Sequence, residues 1–265
     1  MISFPVIIPV KTFDLAKRRL SGILQPPERA ALARTMLIDV LNVVTSVVLP
    51  SNVIVITSSP EASGIAKSAG TQVLQEAASS DLNSAIEAAA RHVIVQDAGG
   101  FLMLPADVPE VTIAVLHQAL VALDQNGSIV LAPAISDGGT NLLACRPPHA
   151  IRPEFGAGSF AKHLAAAERS GLTCHVLNSP ELGRDIDSPE DLARFLDRRT
   201  STLTDRLLRD LRRDLERDLG LERDLGLERD LGVATRPVPP GLATAYETQL
   251  LSGGNLSEER REYIR

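Results

Sequence analysis

FLMLPADVPE, residues 101–110, runs four apolar residues into a carboxylate held between two prolines. Phe101 to Leu104 read as a short buried strand. Pro105 and Pro109 stop that strand and stiffen the turn carrying Asp107, because proline fixes its own φ and donates no ladder hydrogen bond. An acid just past the end of a buried strand points to a fold class as well as a site. Open, mostly parallel sheets bind ligands beyond the carboxyl ends of their strands.

The flanking sequence repeats the pattern. FPVIIPV (4–10), NVIVIT (52–57), SIVLAP (128–133) and TCHVL (173–177) are β-rich runs. Between them ERAALARTMLIDVLNVV (28–44), LNSAIEAAARHVIV (82–95), VTIAVLHQALVALD (111–124) and SFAKHLAAAERSG (159–171) carry apolar residues at helical spacing. Ser188, Pro189, Glu190 and Asp191 start a last helix with an N-cap serine, a first-turn proline and acids at the positive end of the dipole. Strands alternating with helices predict an α/β fold with a mostly parallel central sheet covered on both faces.

The composition changes after residue 200. Leu203, Leu207, Leu211, Leu215 and Leu219 recur every fourth residue, as in an amphipathic helix. LERDLG then repeats at 215–220, 221–226 and 227–232. A six-residue period drifts around a 3.6-residue helix, and a glycine in every repeat weakens it. RPVPPG (236–241) reads as linker and SEERREYIR (257–265) as a short terminal helix. Residues 201–265 are therefore expected to be a Leu/Arg/Asp-rich tail, partly helical, that a chain ending at Thr200 could lack without losing activity.

The whole chain has 265 residues, 44% hydrophobic and 23% charged, with a net charge of −6. One full α/β domain plus something smaller fits that length. The acidic balance argues against a nucleic-acid or membrane-surface partner. Pro5 and Lys11 interrupt the early apolar run, so no secretory signal is expected, and the apolar runs are too short for a membrane span. A cytoplasmic location is expected. Cys145 and Cys174 lack metal-ligand spacing and read as small core residues.

Four features can carry chemistry. GxxxxGK[ST] is absent, as is a GxGxxG after the first strand, so neither a P-loop nor a dinucleotide fold is expected. Instead the first strand runs into PVKTFDLAKRRL (9–20). Lys11, Lys17, Arg18 and Arg19 gather there, in a chain with four lysines in all, and form a candidate polyphosphate grip. In DIDSPEDL (185–192), Asp185 and Asp187 face the same way in an extended segment. Paired carboxylates that stay ionised commonly hold a hard divalent ion, most often magnesium with a phosphate substrate, and Asp107 offers a third. Gly138, Gly139, Gly156 and Gly158 let backbone approach a ligand, and Ser159 opens a helix whose N–H groups make an anion site. Asn83, in DLNSAIEAA (81–89), could bond a base or ribose, or simply cap its helix.

In order along the chain, PVK…AKRRL, ER..LA..ML.DVL, LN.A, ADVP, GGTN.L, FG.GSF..H and DIDSPEDL resemble the guanylyltransferases of deazaflavin coenzyme F-420 biosynthesis, relatives of the molybdenum-cofactor guanylyltransferase. The resemblance runs from residue 4 to about 199. It implies a Rossmann-like, glycosyltransferase-A-like nucleotidyltransferase domain over residues 1–200. It also implies transfer of GMP from GTP to a phosphorylated three-carbon acid, with release of pyrophosphate. Phosphoenolpyruvate or 3-phospho-D-glycerate is favoured as the acid, and 2-phospho-L-lactate is the further candidate. By resemblance, Thr140, Gly156 and Ser159 hold the acid's carboxylate. Asp107, Asp185 and Asp187 hold magnesium, and Lys17 and Arg19 steady the triphosphate, with Lys11 and Asn83 on the nucleotide side. Asp107 and Lys17 are the expected catalytic residues. The family more often has threonine at position 188, where serine caps equally well. His163, one turn into the helix opened by Ser159, faces either the acceptor or solvent. Another nucleotidyl or sugar transferase on the same fold is the rival reading. A scaffold working through its tail is a rival of a different class. The sequence leaves the oligomeric state open, a homo-oligomer included.

Overall fold

A computed structural model of the chain describes residues 4–76, 81–124 and 127–218, with the side chains of 214–218 excepted. The LERDLG repeats from 219 onward, the proline-rich linker and the terminal helix lie outside the described residues. In chain order the elements are β1 (Val6–Val10), α1 (Pro26–Val47), β2 (Val53–Thr57), α2 (Pro60–Ser68), β3 (Gln72–Gln75), α3 (Leu82–Val95) and β4 (Phe101–Met103). There follow α4 (Ile113–Leu123), β5 (Ser128–Pro133), β6 (Thr140–Arg146), α5 (Ser159–Ser170), β7 (Thr173–Val176), α6 (Pro180–Gly183), α7 (Pro189–Asp197) and α8 (Leu203–Asp218).

The strands form one seven-stranded sheet in the order β3-β2-β1-β4-β6-β5-β7. Its pairings are parallel except those of β6, which runs antiparallel to β4 and β5. The sheet is therefore mixed and mostly parallel, as expected. β1, β2, β4 and β5 read as continuous apolar runs because both faces of the sheet are covered there. Ile7 and Ile8, neighbours on β1, fall into two separate cores. One core joins the sheet to α1, α4, α7 and α8 through Leu37, Val40, Leu120, Phe195 and Leu207. The other joins it to α3 and α5 through Ile86, Val93 and Ala167. Cys145 lies fully inside the second core, and burial pushes its thiol up to about 12, which keeps it a protonated, inert filler.

Two strands go unmarked by the sequence pattern. β3 is short and only half-buried, so QVLQ lacks a strong apolar signal. β6 starts from the polar run DGGTN, which reads as a loop although its first six residues are buried. Inserting β6 between β4 and β5 places Thr140 and Asn141 beside the carboxyl ends of the parallel strands.

The site lies where the strand order reverses. β1 leads to β2 and β3 on one side and has β4 on the other. The segments leaving β1 and β4, carrying Lys17 and Asp107, therefore emerge side by side. Such a switch point is the general ligand position in open α/β sheets.

α1 is, among the described residues, the one helix long and apolar enough to cross a membrane by length and composition, but half of that stretch is buried within the protein. Its Asp39 also ties the segment after residue 200 to the sheet domain. The Asp39 carboxylate accepts hydrogen bonds from the Leu203 and Thr204 N–H groups and the Thr204 hydroxyl, at 2.9, 2.8 and 2.7 Å. It satisfies N-terminal donors that α8 cannot bond within itself. Leu207 and Leu208 then join the core shared with α1. The break in composition at 200 is thus no break in packing, and a chain ending at Thr200 would strip this face and leave Asp39 buried without its donors. Asp39→Ala orphans buried donors and is expected to cost about 2–4 kcal/mol of stability. Urea unfolding checks this, and a variant as stable as wild type would show that α8 docks without help from the carboxylate.

Candidate active site

The loop after β1 is pinned by Phe13 and Leu20, both buried. Between them Lys17 adopts the left-handed conformation, with φ 51°. A lysine gains nothing locally from that backbone, which costs on the order of 1–3 kcal/mol and persists only where the surroundings enforce it. What it achieves is aim. Lys17 Nζ lies 2.8 Å from Asp107 Oδ2 and 2.6 Å from Asp187 Oδ1, with its side chain only 7% exposed. Burial alone would lower the lysine pKa, but the two aspartates outweigh it and raise it, so the ammonium stays charged. Asp187 reaches this point because the Ile186 N–H donates to the Asp107 carbonyl at 3.2 Å. The Ser188–Asp191 capping box then turns the chain away into α7.

Asp185 lies on the same segment and is 8% exposed. Its Oδ1 accepts from Asn141 Nδ2 at 2.9 Å, and the same amide donates to the Leu182 carbonyl. Burial first, then the charge of Asp107 and to a lesser degree Asp187, push its pKa to about 6 against the pull of the Asn141 bond. Two of the three carboxylates, Asp107 and Asp187, thus share one ammonium, and Asp185 has the Asn141 amide instead. As placed, no group of three acidic, histidine or cysteine side chains among the described residues is arranged to hold a metal ion, since Lys17 sits between Asp107 and Asp187. The donor set nonetheless fits a hard divalent cation: all carboxylate oxygens, with negative charge in excess and one acid strained towards protonation by its neighbours.

A second cluster is built on the start of β6 and the loop before α5. Successive side chains of a strand face opposite ways. Asn141 goes to Asp185, while Thr140 goes to α5. Ser159 Oγ donates to Thr140 Oγ1 at 3.1 Å, and His163 Nδ1 lies 2.9 Å from the same oxygen. Gly158, in the left-handed conformation with φ 64°, takes the N-cap position in place of Ser159. The anion site expected at the N-terminus of α5 is partly spent. Ser159 N–H donates to the Gly156 carbonyl and Phe160 N–H to the Gly138 carbonyl. Gly156 has φ 127°, a conformation that only glycine adopts without strain, and a Cβ there would point into open space.

Two further residues find other partners than the sequence suggests. Asn83 pairs through both ends of its amide with the Phe155 backbone: Phe155 N–H to Oδ1 at 2.6 Å, and Nδ2 to the Phe155 carbonyl at 3.2 Å. It clamps the loop before α5 with one bond at each end of its amide. His163 is fully buried and is no surface histidine. Helical spacing could have shown this, because Ser159, His163 and Ala167 share one face of α5. Asn141 escaped notice, and its signal was a polar residue inside a run otherwise destined for the core. Lys11 and Arg19 stand exposed on the loop that carries Lys17, which is the cation of that group that meets the aspartates.

Comparison with known proteins gives the family. The family described as guanylyl transferase CofC-like matches residues 4–228. A phosphoenolpyruvate guanylyltransferase from Rubrobacter xylanophilus is 37% identical over 189 residues, 71% of this chain and 91% of its own. A 3-phospho-D-glycerate guanylyltransferase from Colwellia psychrerythraea is 34% identical, over 71% of this chain and 88% of its own. A 2-phospho-L-lactate guanylyltransferase from Methanothermobacter thermautotrophicus is 34% identical, over 78% and 90%. Among solved structures, a protein provisionally named a nucleotide-diphospho-sugar transferase, from Desulfovibrio desulfuricans, superposes with a TM-score of 0.66 over 82% of this chain and 98% of its own, at 18% identity. That last likeness bears on the fold alone. Family match and relatives together show that this chain, with its mostly parallel sheet and its acids at the strand ends, belongs to the CofC-like guanylyl transferase family.

Proposed function

We propose that this protein transfers GMP from GTP to the phosphate of a three-carbon phospho-acid, releasing pyrophosphate, as a step of coenzyme F-420 biosynthesis in the cytoplasm. Phosphoenolpyruvate and 3-phospho-D-glycerate are the favoured acceptors. The observation that carries the reading is the shared Lys17–Asp107–Asp187 cluster, with Asp185 behind it, at the reversal of strand order. It supplies both signs of charge where two anionic substrates have to meet.

In the reaction an acceptor phosphate oxygen attacks the α-phosphorus of GTP, and the bond to the β-phosphate bridging oxygen breaks. Two anions approach each other, so the task is charge neutralisation and in-line positioning, with no covalent enzyme intermediate required. Lys17 brings a fixed positive charge to the triphosphate, with Arg19 and Lys11 outside it. Thr140, Gly156 and Ser159 receive the carboxylate of the acceptor. Asp107, Asp185 and Asp187 would hold magnesium, which neutralises phosphate charge when bound. Asn83 serves this site by holding the loop at Phe155.

The test combines purified protein, GTP and magnesium with each three-carbon phospho-acid in turn and follows pyrophosphate. Release that depends on one acid and on GTP is expected. Equal release with CTP or UTP, or none with any of the acids, would overturn the reading.

A further inference from the structure

We propose that His163 is the positioning residue of the acceptor pocket: as its Nδ1–H tautomer it donates to Thr140 and leaves the Thr140 hydroxyl proton for an oxygen of the bound anion. This rests on the functional reading above for the identity of the anion, but not for the tautomer.

The bonding pattern fixes the proton. A neutral imidazole has one donor and one acceptor nitrogen. The Glu154 backbone N–H, which can only donate, lies 2.8 Å from His163 Nε2. Nε2 is therefore the acceptor, and the proton is on Nδ1. Nδ1 in turn lies 2.9 Å from Thr140 Oγ1 and must donate to it. Ser159 Oγ donates to that oxygen as well, at 3.1 Å. A hydroxyl oxygen has two lone pairs and one proton. Both lone pairs of Thr140 are now taken, and neither partner accepts its proton.

The surroundings keep the ring in that state. His163 is fully buried, and burial, against a smaller pull from Glu154, lowers its pKa to about 4, so it is neutral at ordinary pH. The Phe155 ring meets it edge-on, centroids 4.9 Å apart at 65°. Asn83 holds the Phe155 backbone at both its N–H and its carbonyl. A buried hydroxyl proton without a partner costs about as much as a lost hydrogen bond. A carboxylate or phosphate oxygen removes that cost, and an analogue without an oxygen there does not. The relay thus makes the pocket selective for an anion before any ligand enters.

Two substitutions separate the two nitrogens. His163→Asn places an amide N–H where Nδ1 was, keeping the donor to Thr140 and giving up the bond to Glu154. His163→Gln reaches the position of Nε2, keeping the bond from Glu154 and giving up the donor. In the full chain, His163→Gln is expected to raise the KM for phosphoenolpyruvate, or for 3-phospho-D-glycerate if that is the acceptor used, about tenfold or more. The KM for GTP should stay within about threefold, on that same hydrogen-bond scale. His163→Asn should recover most of the loss. Equal damage from both substitutions, damage from Asn alone, or a parallel rise in both KM values would reduce His163 to a loop anchor and overturn the proposal. Nitrogen NMR of the histidine-labelled wild type, with His163→Gln identifying the signal, reads the tautomer directly. A protonated Nδ1 supports the proposal and a protonated Nε2 overturns it, even if no acid proves to be a substrate.

Discussion

Asp107→Asn lowers turnover by at least about a hundredfold and leaves the protein folded. The fold survives because the structural duty at this position belongs to the backbone: the Asp107 carbonyl, unchanged by the substitution, accepts the Ile186 N–H. The asparagine is isosteric, its side-chain oxygen can still accept from the ammonium, and Asp187 leaves the buried Lys17 charge paired. Lys17 keeps its 2.6 Å contact to Asp187. Catalysis fares worse. The substitution removes one of three charges proposed to fix a cation, and it loosens the ammonium proposed to meet the triphosphate. A group that stabilises developing charge in a dry, preorganised site contributes about a hundred- to a thousandfold. The measurement is kcat at saturating GTP, acid and magnesium, with circular dichroism as the control for folding. Wild-type turnover in the folded variant would remove Asp107 from the chemistry.

Much of this was legible in the chain, and what was not shares one physical cause. β1, β2, β4 and β5 declared themselves because a strand buried on both faces has to be apolar throughout. Asp107 declared itself because two prolines isolate it at such a strand's end. Its partners did not. Lys17 lies 90 residues from Asp107 and 170 from Asp187, and only the order of the sheet brings them together. Sequence could say that cations leave β1 and acids leave β4, but not that one ammonium bridges two of the acids. The loop contact of Asn83 has the same origin. An asparagine near a helix start looks available, and the backbone that takes up its amide, at Phe155, arrives from 72 residues away. At residue 200 repeats and a loss of lysine mark a change of composition, while a buried aspartate on α1 carries the packing on into α8. His163 shows the converse. Its position on a buried helix face was readable, yet its tautomer depends on a backbone N–H that only the folded loop supplies.

Asp185→Asn is expected to make the metal-free protein more stable at about pH 8, by roughly 2–3 kcal/mol, and no more stable near pH 3–4. The sign follows from the direction of the shift. Burial and the neighbouring charges of Asp107 and Asp187 raise the folded-state pKa of Asp185 to about 6, from 3.8. Below the lower value the carboxyl is protonated whether the chain is folded or not, and the site costs nothing. Between the two values the unfolded chain sheds the proton while the folded one keeps it, so stability falls as pH rises. Above the upper value both are ionised and the full penalty remains, a little over two pKa units at about 1.4 kcal/mol each. Lys17 offsets this only in part, since its ammonium is committed to the other two acids. An asparagine at 185 carries no charge, and its carbonyl oxygen still accepts the bond that Asn141 gives to the aspartate. Urea unfolding of both proteins with chelator present, at the two pH values, measures the difference. Magnesium then provides the contrast. A divalent ion bound by the three acids offsets the same repulsion, so it should raise wild-type stability at about pH 8 and raise that of the variant much less, by the linkage of binding to folding. If the variant proved less stable at about pH 8, Asp185 would be a structural acid whose charge the fold needs. If magnesium stabilised both equally, the ion would bind elsewhere.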